Sequence, residues 1–274
     1  MEQLLTTRLW PPAEDAHVWV DAGGALVCVA ALWARGQASP HVGLVLFSQP
    51  GDLALTVEDA ALAWASRRAA TRAKELACDV SLGTATFEDE PARTALLERH
   101  GFTLSEGYNT YMGCSLDAAT LDERPLSGYT IQQAAESDLA PYTALFNQVF
   151  APMTPGHRLE LLRHPDYLHL VAVAPDGTLV AFCELSFSSA EWARGGPRYG
   201  WVDYIGTLEA HQRRGVGQAL LAEGLRWLRA RGGTGVALIT MGSNAQAQSV
   251  YVRAGFYRAG RDFMMVKSVL NSAP

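Results

Sequence analysis

Lysine is almost missing from this chain: of 22 basic residues in 274, only Lys74 and Lys267 are lysines. That arginine bias, with many alanines, is a compositional habit and carries no function. Paired cysteines are missing too. Cys28, Cys78, Cys114 and Cys183 lie far apart, which excludes both a disulfide framework and zinc-ligand spacing, so no metal is expected. Cys28 and Cys183 sit in apolar runs, where a reduced thiol is ordinarily buried. No run approaches the roughly 18 apolar residues that cross a bilayer. Met1 to Arg8 lack the basic stretch, apolar run and small-residue cleavage site of a secretory signal. The expectation is a cytoplasmic protein without a membrane partner. Excess positive charge is absent as well: the net charge of −6 argues against a nucleic-acid partner.

What is present is the composition of a folded protein, 49% hydrophobic and 18% charged. At roughly 150 residues per domain the length suggests about two domains. Charge divides unevenly between them. Residues 1–120 carry 15 acidic and 8 basic side chains, and residues 121–274 carry 13 and 14. An anionic ligand therefore suits the second half better.

Two segments echo each other, Leu96-Leu-Glu-Arg-His-Gly-Phe102 and Val250-Tyr-Val-Arg-Ala-Gly-Phe256. Each closes a helical pattern with Gly-Phe and leads into an alternating stretch, to Met112 and to Val266. The offset of 154 residues is about one domain length, which points to a duplication. The polar, Pro- and Gly-containing stretch 117–128 marks the boundary, giving domains 1–118 and 127–274. In the second half, strands are expected over 168–174, 178–187, 199–206, 236–240 and 263–266, with helices over 136–150, 157–163, 218–231 and 245–254. In the first half, a hairpin turns at Gly23-Gly24, strands span 42–47 and 80–85, and a helix spans 58–77. The fold class is a mixed α/β (α+β) one.

Chemistry concentrates in Gln212-Arg-Arg-Gly-Val-Gly217, between a strand and a helix. Two glycines two residues apart let the backbone turn tightly and expose N–H groups where the helix dipole is positive. Such a loop binds phosphate or pyrophosphate, and Arg213 and Arg214 add charge. The alternative is a simple turn before a helix. A dinucleotide loop needs a third glycine where Leu220 stands, and a Walker loop needs Gly-Lys-Ser/Thr; both are excluded. His157, His164 and His169 show no metal-ligand spacing and read as surface or structural residues. No Gly-x-Ser-x-Gly elbow occurs.

The loop, followed some 30 residues later by Asn244…Val250-Tyr251-x-x-x-Gly255-Phe256, resembles the GNAT superfamily of acyl-CoA-dependent N-acetyltransferases over residues 128–270. Glu209 departs from the proline common there. The resemblance implies two GNAT-like domains, each a mostly antiparallel twisted sheet flanked by helices, and acetyl-CoA as co-substrate. It implies that Ile205, Gly206 and Thr207, on a strand splayed from its neighbour, present backbone groups to the pantetheine arm. Gln212, Arg213, Arg214, Gly215, Val216, Gly217 and Gln218 would hold the pyrophosphate, and Asn244 would touch the cofactor arm. Tyr251 would protonate the departing thiolate, or else be a core aromatic. Asp203, or Glu184 on the neighbouring strand, would receive the amine proton; either is equally a strand carboxylate paired with an arginine. The acceptor would be a small-molecule or peptide amine.

Shifted by 154 residues, the loop falls on Glu58-Asp-Ala-Ala-Leu-Ala63, Asn244 on Glu90 and Tyr251 on Leu97. The first copy therefore reads as a degenerate domain unable to bind acetyl-CoA in the family's way. Two rivals to an acetyltransferase are a non-catalytic acyl-CoA sensor and an interaction scaffold.

Overall fold

The computed structural model describes residues 13–34, 38–51, 54–120, 126–150 and 155–271. In chain order the first elements are β1 (Ala16–Val20), β2 (Leu26–Ala34), β3 (His41–Ser48), α1 (Ala54–Leu76), β4 (Val80–Phe87), α2 (Pro91–Arg99) and β5 (Thr103–Ser115). There follow β6 (Thr130–Gln133), α3 (Leu139–Val149), α4 (Pro155–Arg163), β7 (Tyr167–Val173), β8 (Leu179–Phe187) and the short α5 (Ser189–Ala193). The last are β9 (Tyr199–Thr207), α6 (Val216–Ala230), β10 (Gly235–Met241), α7 (Ala245–Arg253) and β11 (Tyr257–Val269). No helix is long and apolar enough to cross a membrane among the described residues.

These elements form two compact units. One holds the described residues up to Tyr108 together with those from Arg261 onward, and the other is Asn109–Gly260. In the first unit β1, β2 and β3 pair antiparallel in succession, and β3 pairs parallel with β4. Asp21 Oδ1 shapes the β1–β2 turn by accepting from Gly23 N–H at 2.8 Å and Ala25 N–H at 2.9 Å. Helix α1 buries Ala61, Ala65, Ala69 and Ala73. A stripe of alanines four apart has no bulk to hold the helix away from the leucines and valines of the sheet.

In the second unit the order is β5, β10, β9, β8, β7, β6, all antiparallel except the β10–β9 pair. Helices cover both faces. On one, α6 buries Val216, Leu220, Leu221, Leu225 and Leu228 against Leu185, Val202 and Val236. On the other, Tyr142, Leu145 and Phe146 of α3 pack on Val171 and Phe182. Gly206 lets α3 approach β9: a Cβ there would stand 2.8 Å from Val149 Cγ1 and 3.0 Å from Phe182.

The units differ from the contiguous segments 1–118 and 127–274. The Asn109–Ser115 part of β5 pairs with β10 in the second unit, while the Asp262–Val269 part of β11 pairs with β4 in the first. The final strand of each half thus serves the unit of the other half. Pairing between distant segments leaves no local mark, whereas the polar stretch 117–128 does.

The duplication offset holds where the two segments echo each other. Helices α2 and α7 have nine residues each and β5 and β11 thirteen, and each pair is displaced by 154 positions. Gly101 and Gly255 both take left-handed φ values, +79° and +96°, after their helices. Upstream the offset fails. Helix α1 already begins at Ala54, so Glu58–Ala63 lies within a helix and not in a loop before one. The stretch between β3 and α1 that stands in the loop's place is Gln49-Pro-Gly-Asp-Leu53, of which residues 52 and 53 lie outside the described residues.

Candidate active site

Strand β9 organises the site. Its parallel pairing with β10 runs from Gly235↔Tyr199 to Leu238↔Val202 and stops, although β9 continues to Thr207 and β10 to Met241. On its other side β9 stays paired with β8 through Cys183↔Ile205, Phe182↔Gly206 and Ala181↔Thr207. Beyond Val202 the two parallel strands part and a gap opens between them. Ile205, Gly206 and Thr207 lie in the stretch of β9 beyond that pairing.

The loop after β9 fills the mouth of this gap. Arg213 has φ +59° and Gly215 φ +82°; two left-handed residues so close together turn successive N–H groups toward one side. Among the described residues, the N–H groups of Arg213, Arg214, Gly215, Val216 and Gly217 donate to no backbone carbonyl. They crown the N-terminus of α6, and Gln218 stands in its first turn. Gln212 is held from two sides: its Nε2 donates to Thr207 O at 3.1 Å, and its Oε1 accepts from Gln246 Nε2 at 3.4 Å. Arg214 donates to Tyr129 Oη at 3.2 Å, and that hydroxyl meets His211 Nδ1 at 3.0 Å. An open hollow of about 750 Å³ is lined here by Glu209, Ala210, Gln212, Arg213 and Arg214.

Asn244 has a structural duty as well. It is the N-cap of α7, its Oδ1 accepting from Ala247 N–H at 3.1 Å; its amide NH₂ remains for a ligand. Tyr251, in the same helix, is 6% exposed and packs on Phe256 at 5.8 Å between ring centroids. Burial, reinforced by neighbouring Cys183, holds its phenol well above the ordinary value, so the proton is present at any working pH. Cys183 is fully buried and burial raises its thiol likewise, which makes it an inert sulfur.

Strand β9 carries a β-bulge at Asp203. Tyr204 pairs with Glu184 and Val202 with Leu185, so Asp203 is the extra residue. Its side chain reaches the face that carries Ser186, to which it hydrogen-bonds. The residue stays open to solvent but stands in a concavity of protein atoms. Desolvation there pushes its carboxyl up to about 6, helped by the charge of Glu184 and opposed by the Ser186 bond. Tyr167 shares the position, its phenol raised by burial and then by Asp203 and Glu184.

Glu184, the other candidate base, is committed elsewhere. It is 1% exposed and forms an ion pair with the fully buried Arg158 of α4. It also accepts from Tyr142 Oη at 2.6 Å. The Arg158 guanidinium lies 4.4 Å from the Tyr142 ring centroid and 4.2 Å from that of Phe146. His169, also buried, places Nδ1 3.2 Å from Tyr142 Oη, and desolvation lowers its pKa, so it is neutral. Glu184 is thus the counter-ion of Arg158, out of reach of an amine. Arg158, Tyr142, Tyr167 and Ser186 had no signal in the sequence, because each acts through a partner on another element.

Two faces of one sheet result. Asp203, Glu184 and Ser186 look toward α3 and α4, while Cys183, Val202 and Tyr251 belong to the core under α6 and α7. The gap between β9 and β10 joins the two faces. Residues 131–256, which hold this whole arrangement, match the acetyltransferase (GNAT) family. The match falls within the second unit, Asn109–Gly260.

The GNAT match is accompanied by shorter sequence likenesses. A mycothiol acetyltransferase from Sanguibacter keddieii is 39% identical over 92 residues, 34% of this chain and 29% of that protein. An aminoglycoside N(6')-acetyltransferase type 1 from Klebsiella aerogenes is 37% identical over 91 residues, 32% of this chain and 57% of that protein. The matched stretch thus spans less than a third of the mycothiol acetyltransferase and just over half of the other. Likeness of fold reaches further. A GCN5-related N-acetyltransferase from Sphaerobacter thermophilus superposes with a TM-score of 0.78 at 20% identity, covering 98% of this chain and 85% of that one. A tandem GNAT protein from the clavulanic acid biosynthesis pathway gives 0.75 at 18% identity, covering 96% and 86%. The GNAT fold therefore extends beyond the matched segment into the first unit.

Proposed function

We propose that the second unit transfers the acetyl group of acetyl-CoA to a small-molecule primary amine by direct attack. The observation that carries this reading is the gap between the parallel strands β9 and β10, with a cluster of N–H groups in the loop after β9 that donate to no backbone carbonyl. The N–H groups from Arg213 to Gly217, with Gln212, Arg213, Arg214 and Gln218 around them, suit a pyrophosphate. The stretch Ile205, Gly206 and Thr207, where β9 has parted from β10, together with the Asn244 amide at the start of α7, suits the amide groups of a pantetheine arm. The mycothiol and aminoglycoside enzymes among the relatives support a small molecule over a peptide as acceptor.

A thioester carbonyl held in the gap has a carboxylate on one face and a phenol on the other. Asp203 takes the proton as the amine nitrogen bonds to the carbonyl carbon; the C–S bond then breaks, and Tyr251 gives its proton to the departing sulfur. The products are the acetamide and free CoA thiol; Asp203 then releases its proton to solvent and Tyr251 regains one from it. Cys183 supports direct attack: the thiol near Tyr251 is buried and protonated, so it offers no thiolate to take the acetyl group first. Incubation with acetyl-CoA alone is expected to leave the intact mass unchanged, with acetylated amine appearing only when both substrates are present. An acetyl adduct on the protein would replace direct attack with a two-step route.

Loop geometry gives a binding prediction. Gly215→Ala sets a Cβ on a residue at φ +82°, a strain of about 1–2 kcal/mol. By calorimetry the Kd for acetyl-CoA is expected to rise roughly tenfold. An unchanged Kd would remove this loop from binding.

The stretch 49–53 of the first unit has one glycine where the second unit's loop has two, and Glu58 bridges the elements around its opening. Beyond Gly43↔Gly83 strands β3 and β4 also part, but there Glu58 accepts from Ser48 Oγ at 2.5 Å and pairs with Arg93 of α2 at 3.4 Å. One acetyl-CoA per chain is the expected stoichiometry; two would contradict a degenerate first copy.

A further inference from the structure

The bulge at Asp203 sets the next side chain, Tyr204, on the open face as well. Up to Val202 the strand alternates between exposed and buried residues; Asp203 and Tyr204 are then exposed in succession. The Tyr204 ring stands edge-on to Phe146 at 5.0 Å and to Phe150 at 5.2 Å between centroids. Phe146 is buried beneath, whereas Tyr204 at 37%, Phe150 at 38% and Trp201 at 42% remain open. Three open aromatic side chains on the carboxylate-bearing face offer ring surface on which a planar apolar group can pack.

Charge on this face has one sign available to a ligand. The Arg158 guanidinium is fully buried and paired with Glu184, and His169 is neutral. Tyr167 and Ser186 supply only hydroxyls. Among the described residues named on this face, Asp203 is the open charged group beside the rings, and a cation beside Tyr204 and Phe150 gains from the ring quadrupoles as well as from the carboxylate. Strand geometry fixes the scale. Successive residues are spaced about 3.3 Å apart, so an ammonium on Asp203 and a ring on Tyr204 belong to one compact ligand.

We propose that Tyr204, Phe150 and Trp201 form an acceptor subsite for a primary amine bearing an aromatic group one short alkyl spacer from its nitrogen. This rests on the transfer reading and names its substrate class. The substrate binds as its ammonium on Asp203 and sheds one proton to solvent, which frees the lone pair that attacks, and the ring packs against Tyr204 and Phe150 with Trp201 along the strand.

The test compares acetyl transfer to 2-phenylethylamine, glucosamine and a short peptide with a free α-amine, at saturating acetyl-CoA. The kcat/KM for 2-phenylethylamine is expected to exceed the other two by about tenfold or more, the worth of one stacked ring and a cation–π contact. Tyr204→Ala and Phe150→Ala are each expected to erase most of that preference by raising KM for 2-phenylethylamine, with the Kd for acetyl-CoA unaltered. Tyr204→Phe, which keeps the ring, restores most of the selectivity. Equal or better use of glucosamine or the peptide overturns the inference and leaves transfer standing. A preference that survives both alanine variants overturns it too. Acetyl-CoA binding without transfer to any of the three overturns the transfer reading and this inference with it.

Discussion

Asp203→Asn is expected to lower kcat/KM by a factor of about 10²–10⁴, the usual worth of a positioned general base. The amide keeps the bulge and the Ser186 neighbour but has no lone pair basic enough to accept the amine proton. In the wild type, kcat/KM is expected to fall as pH drops through about 6, where the raised Asp203 carboxyl protonates. That limb is absent in the variant. Stability has the opposite sign. A carboxyl whose folded pKa lies above its unfolded value favours the folded state below the unfolded pKa, and that contribution is lost as pH rises through about 6. Asp203→Asn is therefore expected to be no less stable than wild type at pH 7.5, although nearly inactive. A variant both inactive and unfolded would give Asp203 a structural role instead.

Glu184→Ala should produce the largest loss of stability. With Glu184 gone, the fully buried Arg158 loses its counter-ion, and Tyr142 Oη its acceptor. Removing one partner of such a pair costs about 3–5 kcal/mol, because the remaining charge stays desolvated. Urea unfolding should show a shifted midpoint, with Arg158→Ala suffering similarly. The double variant Arg158→Leu/Glu184→Leu is expected to recover much of the loss, since apolar groups of similar volume leave no charge behind. A change below about 1 kcal/mol in the single variant would mean that water reaches the pair.

These two carboxylates show where the sequence is readable and where it is not. Both are candidate bases on neighbouring strands by sequence, and both stand on the same face. What separates them is a bulge at Asp203 and an arginine 26 residues away from Glu184. Neither leaves a mark in the local pattern of apolar residues, because a bulge is a property of pairing and an ion pair a property of packing. The loop from Gln212 to Gln218 is legible for the contrary reason. Its function lies in backbone conformation, and glycines at 215 and 217 declare that conformation directly.

The same contrast governs the fold. The sequence places helix α6 to within two residues, because its leucines recur every three or four positions and Gly232-Gly233 ends it. The repeat is legible at Gly101-Phe102 and Gly255-Phe256, whose helices and strands keep the 154-residue offset. It misleads upstream, where α1 begins at Ala54 and takes Glu58 into a buried pair with Arg93. Alternation marks β5 and β11 only over the short stretches Tyr108–Met112 and Phe263–Val266, yet each strand is 13 residues long. Their exposed ends, such as Leu104 and Tyr257, interrupt the alternation that marks a strand. Their pairing with distant partners is invisible in sequence for the same reason as the Glu184–Arg158 pair.

Acetyl transfer by the second unit is the central claim, and one measurement addresses it most directly. The full chain is mixed with acetyl-CoA and 2-phenylethylamine, and CoA thiol release and acetylated amine are followed together over time. The predicted result is release of one thiol for each acetamide formed, many turnovers per chain, and a rate that collapses in Tyr251→Phe while the Kd for acetyl-CoA holds. Thiol release without acetamide, or tight acetyl-CoA binding with no turnover of any amine, would contradict it and leave a protein that binds acyl-CoA without using it.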